Sequence, residues 1–415
     1  MAPFPNWLRN SLLAGWALAM PARAIVIPTG TELQVRLKTK LASNTSKPDD
    51  PFETIVIAPV GVNGALAIPA GVTLRGMVTA ATAATDPAVR ATLALDFQEL
   101  EMAGQRVRVR ALLTAVENAR ESVNDQGEIQ GILANESLSS RMDSGIDKVA
   151  DRFSGFGGLL SAAKKAVFKE TEGDISYDSG VEMDLKLTAP LTLTVPPPPG
   201  PDAGLQPIAD LAALARLVNR QPFQTRAQKP PQPSDFTTLM LIGSQEQVQG
   251  AFAEAGWNQA SKLGEKSKLE TFRAIAEDRG YSEAPVSILY LDGRAPDMVF
   301  EKMNNTFSKR HHLRIWLRPD QYRGQPVWVC AATHDTGIDF SAKDRTFIHK
   351  IDPRIDMERS KVVNDLLLTG KVQSLTIVDR PNVPRHGENA TGDSLNTDGG
   401  MAVLILPLST PSNQP

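Results

Sequence analysis

The sequence predicts an α+β multidomain chain, with an all-β barrel or sandwich in the N-terminal half and a mixed α+β sheet domain in the C-terminal half. Three observations carry this. Before residue 195 most segments alternate apolar and polar residues, and one strand-plus-turn unit recurs. Prolines punctuate the middle at "VPPPPGPDAG" (195–204) and "QKPPQPSDF" (228–236). After residue 236, helical and strand periods mix. Consecutive prolines continue neither a helix nor a central strand, so they mark the division.

The chain opens on "MAPFPNWLRNSLLAGWALAMPARA", with an early cation at Arg9, an apolar run from Ser11 to Met20, and the small-x-small ending Ala22-Arg23-Ala24. This is the pattern of a secretory signal peptide over 1–24, and the run is too short to span a bilayer, which takes ~20 apolar residues. The expected location is the periplasm or outer envelope of a bacterium. The single cysteine, Cys330, forms no internal disulfide, which fits that compartment better than a eukaryotic secretory route. A net charge of −3 with mixed signs argues against nucleic acid as a partner.

Residues 25–195 read as one β module. Leu33, Val35 and Leu37 face one way, and Glu32, Gln34, Arg36 and Lys38 the other, which is half-buried strand patterning. "LALDFQEL" (93–100) and "QRVRVRAL" (105–112) repeat it, and Arg106, Arg108 and Arg110 form a row on a solvated face. "GTELQVRLKTKLA" (30–42) matches "GVEMDLKLTAPLT" (180–192) position for position in character, and "IPTG" (27–30) is echoed by "IPAG" (68–71). A repeat of this kind predicts a barrel or sandwich in which the first and last strands are neighbours. The module resembles the periplasmic β-barrel domains of TrbI-type conjugation proteins, which share these turns. That resemblance implies an envelope interaction module without catalytic residues. The insertion "RFSGFGGLLSAAKKAVF" (152–168) is rich in small residues and reads as an excursion from the barrel, or as a peripheral membrane contact.

Residues 196–235 read as a proline-rich linker holding a docking helix, "IADLAALARLVNR" (208–220), with Leu211, Leu214 and Leu217 at helical spacing. The domain over 236–410 begins with a strand in "DFTTLMLIG". A helix capped by Ser244 follows, and then a second helix in "KLETFRAIAEDRG" (268–280). A third helix over roughly 353–369 has Asp352 as its cap, Pro353 in the first turn and Gly370 past its end. Strands fall between and after these helices. "GSQEQVQGAFAEAGW", "APDMVFEKM", "RHHLRIW", "PVWVCAATHDTGI" and "HKIDPRIDMER", in this order, resemble the LssY-like C-terminal domain family over about 240–380. The resemblance implies an association with secretion and no particular reaction.

Two of the five histidines, His311 and His312, are adjacent. Strand neighbours point to opposite faces, so they cannot share a site. His311 falls with Leu313, Ile315 and Leu317, and His312 with Arg314 and Trp316. With a hairpin over 318–325, Val327, Val329 and Ala331 are expected on the face of His311. Trp328, Cys330, Ala332 and His334 are then expected on that of His312. His312 and His334 would lie roughly 7–8 Å apart at Cα, near enough to share an ion. Asp335 and His349 are the leading candidates to complete a zinc-type or other divalent metal site, with Glu301 and Asp352 behind them. No HExxH motif or paired CxxC supports the site, and a structural role as a polar rim on the sheet stands beside it. Cys330, flanked by Val329 and Ala331, reads as a packed thiol. Asp352, Asp356 and Glu358 suit a helix start through the helix dipole, with Arg359 as a partner. The functional expectation is a non-catalytic component of an envelope assembly or secretion system, without cofactor and with envelope proteins as partners. A metal-dependent hydrolase built around His312 and His334 is the alternative.

Overall fold

The computed structural model describes residues 24–86, 89–133, 173–228, 231–259, 288–302, 310–341 and 346–407. The leader, the insertion 152–168 and the expected helix 268–280 lie outside the described residues. Two compact units divide the described chain at about residue 200.

The N-terminal unit is a closed barrel. Its six strands are β1 (Glu32–Leu37), β2 (Pro51–Val56), β3 (Thr73–Thr82), β4 (Thr92–Met102), β5 (Gln105–Val116) and β6 (Glu182–Leu187). Each pairs antiparallel with the next, and β6 returns to pair with β1. Closure leaves no open edge among these six. The strict alternation of β1 places Leu33, Val35 and Leu37 inside, where Phe52 and Phe97 meet edge to face at 5.2 Å. Arg106, Arg108 and Arg110 are exposed, as the period predicts.

The internal repeat is the seam of this barrel. The two copies run antiparallel with Arg36 opposite Glu182 and Glu32 opposite Lys186. Each copy's turn glycine closes the far end of the other's strand. The Gly30 amide donates to the Leu187 carbonyl at 2.8 Å, and the Gly180 amide donates to the Leu37 carbonyl at 2.8 Å. Both glycines have positive φ, +84° and +106°, a conformation that costs other residues backbone strain.

The C-terminal unit is a mixed sheet between helices. Its strands are β7 (Leu239–Ile242), β8 (Trp257–Gln259), β9 (Met298–Lys302), β10 (Arg310–Tyr322), β11 (Gln325–Ser341), β12 (Thr346–Ile351), β13 (Ser374–Asp379) and β14 (Gly400–Ile405). They run in the order β8-β9-β10-β11-β7-β14-β13, with β12 pairing the far part of β11. Only the β7–β14 pair in this sheet is parallel among the described strands. Helices α1 (Leu211–Arg220), α2 (Gln245–Glu254) and α3 (Ile355–Leu368) cover it. On one face Val248 and Phe252 of α2 and Val362 and Leu366 of α3 pack against Leu313, Ile315 and Trp328. On the other, Leu214, Leu217 and Val218 of α1 pack with Met240, Trp316 and Val329.

Three expectations change here. The segment 208–220 is a core helix of the C-terminal unit rather than a docking helix in a linker, because its apolar stripe is buried in that unit's second core. The stretch Pro231–Phe236 forms a two-stranded ladder with Gln224–Gln228, in which prolines are tolerated because, among the described strands, no second neighbour needs their missing N–H. Helix α3 begins two residues late. Asp352 does not cap it but accepts hydrogen bonds from the Arg354 amide at 2.8 Å and its guanidinium at 2.7 and 3.0 Å. Ser244 caps α2 as expected, in a reciprocal capping box with Gln247. Gly370, at φ +68°, follows the end of α3.

Candidate functional site

The turn between β10 and β11 decides which histidines meet. Arg323 and Gly324 both have positive φ, +52° and +77°, which defines a two-residue hairpin turn with Tyr322 opposite Gln325. Odd-numbered residues of β10 therefore face the same side as even-numbered residues of β11. His311 lies directly opposite His334, and His312 lies opposite Thr333. The expected pairing of His312 with His334 is thus corrected: the two project from opposite faces. Eight residues from Arg318 to Gln325 do not form one loop; most of them continue the strands past a register shift after Leu317.

The His312 face is a buried charge network. Arg310, His312 and Arg314 alternate along β10, and all are buried although two are always cationic. The Arg310 guanidinium contacts Asp335 at 2.9 Å and Glu301 at 3.3 Å. His312 Nε2 lies 2.9 Å from Asp335 Oδ1, and Arg314 Nη1 lies 3.1 Å from Asp235. Burial drives the imidazole of His312 toward its neutral form, despite Asp335. A neutral ring then donates from Nε2 to the Asp335 carboxylate. Burial also pushes the Glu301 carboxyl up to about 8, against the pull of Arg310 and with a push from Asp335. At neutral pH Glu301 holds its proton, and its Oε2 has no hydrogen-bond partner among the described residues. Two guanidinium cations then face two carboxylates, Asp335 and Asp235, and the network balances. Of the expected metal ligands, His312, Asp335 and Glu301 do come together, but Asp335 is taken up by His312 and Arg310, and Arg310 also holds Glu301 Oε1.

The His311 face carries different chemistry. His311 Nδ1 lies 2.7 Å from Glu358 Oε2 of α3, and both are buried. Burial alone would raise the Glu358 carboxyl, but the charge and hydrogen bond of His311 hold it below the ordinary range. The ring of His334 stacks on that of His311 with centroids 4.0 Å apart and planes inclined by 19°. His334 is half-buried. Beyond them, Lys302 Nζ contacts Asp365 at 2.8 Å, and the Trp257 indole donates to the same carboxylate at 2.9 Å.

The remaining candidates fall elsewhere. His349 sits opposite Ile338 in the β11–β12 ladder, and its side chain is outside the described set. Asp352 is bound to Arg354. Cys330 is fully buried and burial pushes its thiol far up, so it is a packing group. Asp356 and Asp398 both hold Arg359, at 3.0 and 2.8 Å, inside the domain. Sequence reasoning missed the roles of Arg310, Lys302, Asp365 and Asp235. The one available signal was the i, i+2, i+4 spacing of Arg310, His312 and Arg314, which puts three basic side chains on one strand face.

Residues 218–401 match the family model described as the LssY C-terminus. The C-terminal unit is therefore an LssY-like domain: a helix-covered mixed sheet with ion pairs buried in its faces. No curated protein is detectably similar to the chain. No described helix is long and apolar enough to cross a membrane.

Proposed function

We propose that the chain is an exported, non-catalytic component of a bacterial envelope assembly or secretion system, with the barrel as its interaction module. The observation that carries this reading is the buried network around His312. Asp335 and Asp235 are taken up by Arg310, His312 and Arg314, all of them buried, which leaves that face of the LssY-like domain closed rather than poised for substrate. The TrbI-like turns of the barrel and the leader-like first 24 residues support an envelope setting. A hydrolase built around His312 and His334 lacks its geometry, because those residues sit on opposite faces of the sheet.

Fractionation of cells producing the full chain, joined to in vivo cross-linking from the exposed β5 positions Arg108 and Arg110, tests the reading. The expected result is a mature chain starting at Ile25 in the periplasmic or outer-envelope fraction, cross-linked to envelope proteins. A chain that keeps Met1 and stays in the cytosol overturns it.

A further inference from the structure

We propose that His311 and His334 form a bis-imidazole site for a first-row divalent cation of the zinc type on the α3 face of the C-terminal sheet. The site rests on four features of one small region. The two residues are directly opposite on neighbouring antiparallel strands, where side chains are closest. A ring nitrogen of each lies within 4.8 Å of one on the other; the His334 ring turns out of its stack on His311 to bring both nitrogens to about 2.0–2.1 Å from a common ion. Glu358 Oε2 holds His311 Nδ1 at 2.7 Å. Nδ1–H donates to that carboxylate, so the proton an ion displaces on binding is the one on Nε2. Histidines that bind metals are oriented in this way by a carboxylate behind the ring. His334 is half-buried, which gives an ion a route to the pair.

The chemistry selects the class of ion. Neutral imidazole nitrogens suit zinc, copper, nickel and cobalt, and they do not suit calcium or magnesium, which take oxygen ligands. The histidine pair supplies two nitrogen donors. Glu358 is a positioning residue: it reaches the ion only through His311. Both rings must be free of a proton on the ligating nitrogen to bind, so binding an ion releases protons.

The test uses the full chain, stripped with a chelator and titrated first with cobalt(II) as a spectroscopic probe and then with zinc. Saturation at one ion per chain is expected, with ligand-field absorption from nitrogen donors that zinc displaces. His334→Ala is the deciding variant, since a half-buried ring is removed at small cost to the fold; it should weaken binding at least tenfold. His311→Ala should do the same. Glu358→Gln should keep the one-to-one stoichiometry while weakening affinity about 10–100-fold. His312→Ala, on the opposite face, should bind as the parent does. Binding that does not saturate at one equivalent, or that survives His334→Ala unchanged, overturns the site and leaves the stacked pair as packing alone.

Discussion

Strand β1 of the barrel alternates outward-facing and buried residues, and its charged pair, Arg36–Glu182 at 2.8 Å, lies on the side away from the core, with Glu182 itself buried. Strand β10 of the C-terminal sheet buries seven successive residues, Arg310 to Trp316, and sinks two arginines and two histidines with them. The barrel has one core, enclosed by its own strands, and keeps charge outside it. The C-terminal sheet has a core on each face, so every polar residue in its central strands must find a partner inside. The same residue types therefore have different energetic weight in the two units, and the difference can be measured. Beyond Ile25, Trp257, Trp316 and Trp328 are the only tryptophans, and all lie in the C-terminal unit. Tryptophan fluorescence of a chain starting at Ile25 thus follows that unit alone, while far-UV circular dichroism follows both.

The largest effect is expected at Asp335, which holds both Arg310 and His312. Asp335→Ala leaves a buried guanidinium without its carboxylate, and losing one partner of a buried pair costs roughly 3–5 kcal/mol. Denaturant titration followed by tryptophan fluorescence should show the C-terminal transition move by that amount, with the barrel transition unchanged. A loss below about 1 kcal/mol would place Asp335 in the class of surface ion pairs and break the contrast between the units.

Next in size is the titration of Glu301. Its folded-state pKa of about 8 lies above the ordinary 4.5. Its proton is therefore favoured by folding, and the cost of ionising it appears as pH rises from 4.5 through 8. Wild-type stability of the C-terminal unit should fall across that window, and Glu301→Gln should flatten the curve. At pH 9 the variant should be the more stable by roughly 2–4 kcal/mol, while near pH 4 the two should agree. The barrel has its own raised carboxyl at Asp184, pushed up to about 6 mainly by burial. Its loss of stability falls in a lower window, from 3.8 to about 6, so the two units should be distinguishable by pH alone. Coincident windows for both transitions would contradict this.

How much was legible follows from the same contrast. In the barrel each strand has one wet face, so period-two alternation exposed β1, β4 and β5, and the repeat announced that the first and last strands pair. In the C-terminal sheet β10 reads "RHHLRIW" with both faces dry, so no alternation marks its register. The existence of the hairpin was readable, but its parity depended on Arg323 and Gly324 taking positive φ as a two-residue turn. The hairpin expected over 318–325 has the other parity, which exchanges the faces of Val327 to Ala332 and of His334. The partners of the buried cations, Asp235, Glu301 and Asp365, lie 79, 9 and 63 residues from their mates. No local spacing reveals contacts at such separations.

The barrel seam gives an intermediate effect. Gly180 sits at φ +106° while its amide closes the end of β1. Gly180→Ala should cost about 1–3 kcal/mol through backbone strain, and Gly30→Ala, at the matching place in the other repeat, should cost a similar amount. The shift should appear in circular dichroism and be absent from the fluorescence transition. A fluorescence shift of equal size would mean that the two units unfold together.

The smallest effect sharpens the comparison from the other side. Glu99 lies opposite Arg108 in the β4–β5 ladder and 3.5 Å from the Arg106 guanidinium, with both side chains of that ion pair well exposed. By sequence this patch carries three arginines, Arg106, Arg108 and Arg110, against two in the buried stretch of β10. Yet water screens it, and each long side chain loses rotamer freedom on pairing, so exposed pairs contribute only ~0–1 kcal/mol. Glu99→Ala should therefore change barrel stability by no more than about 0.5 kcal/mol at 0.15 M salt, with little further response to 1 M salt. Measured beside Asp335→Ala in the same background, it compares two carboxylates that each face two basic side chains and differ mainly in burial. A loss at Glu99 approaching that at Asp335 would show that ion-pair number, rather than burial, sets the weight of charge in this protein.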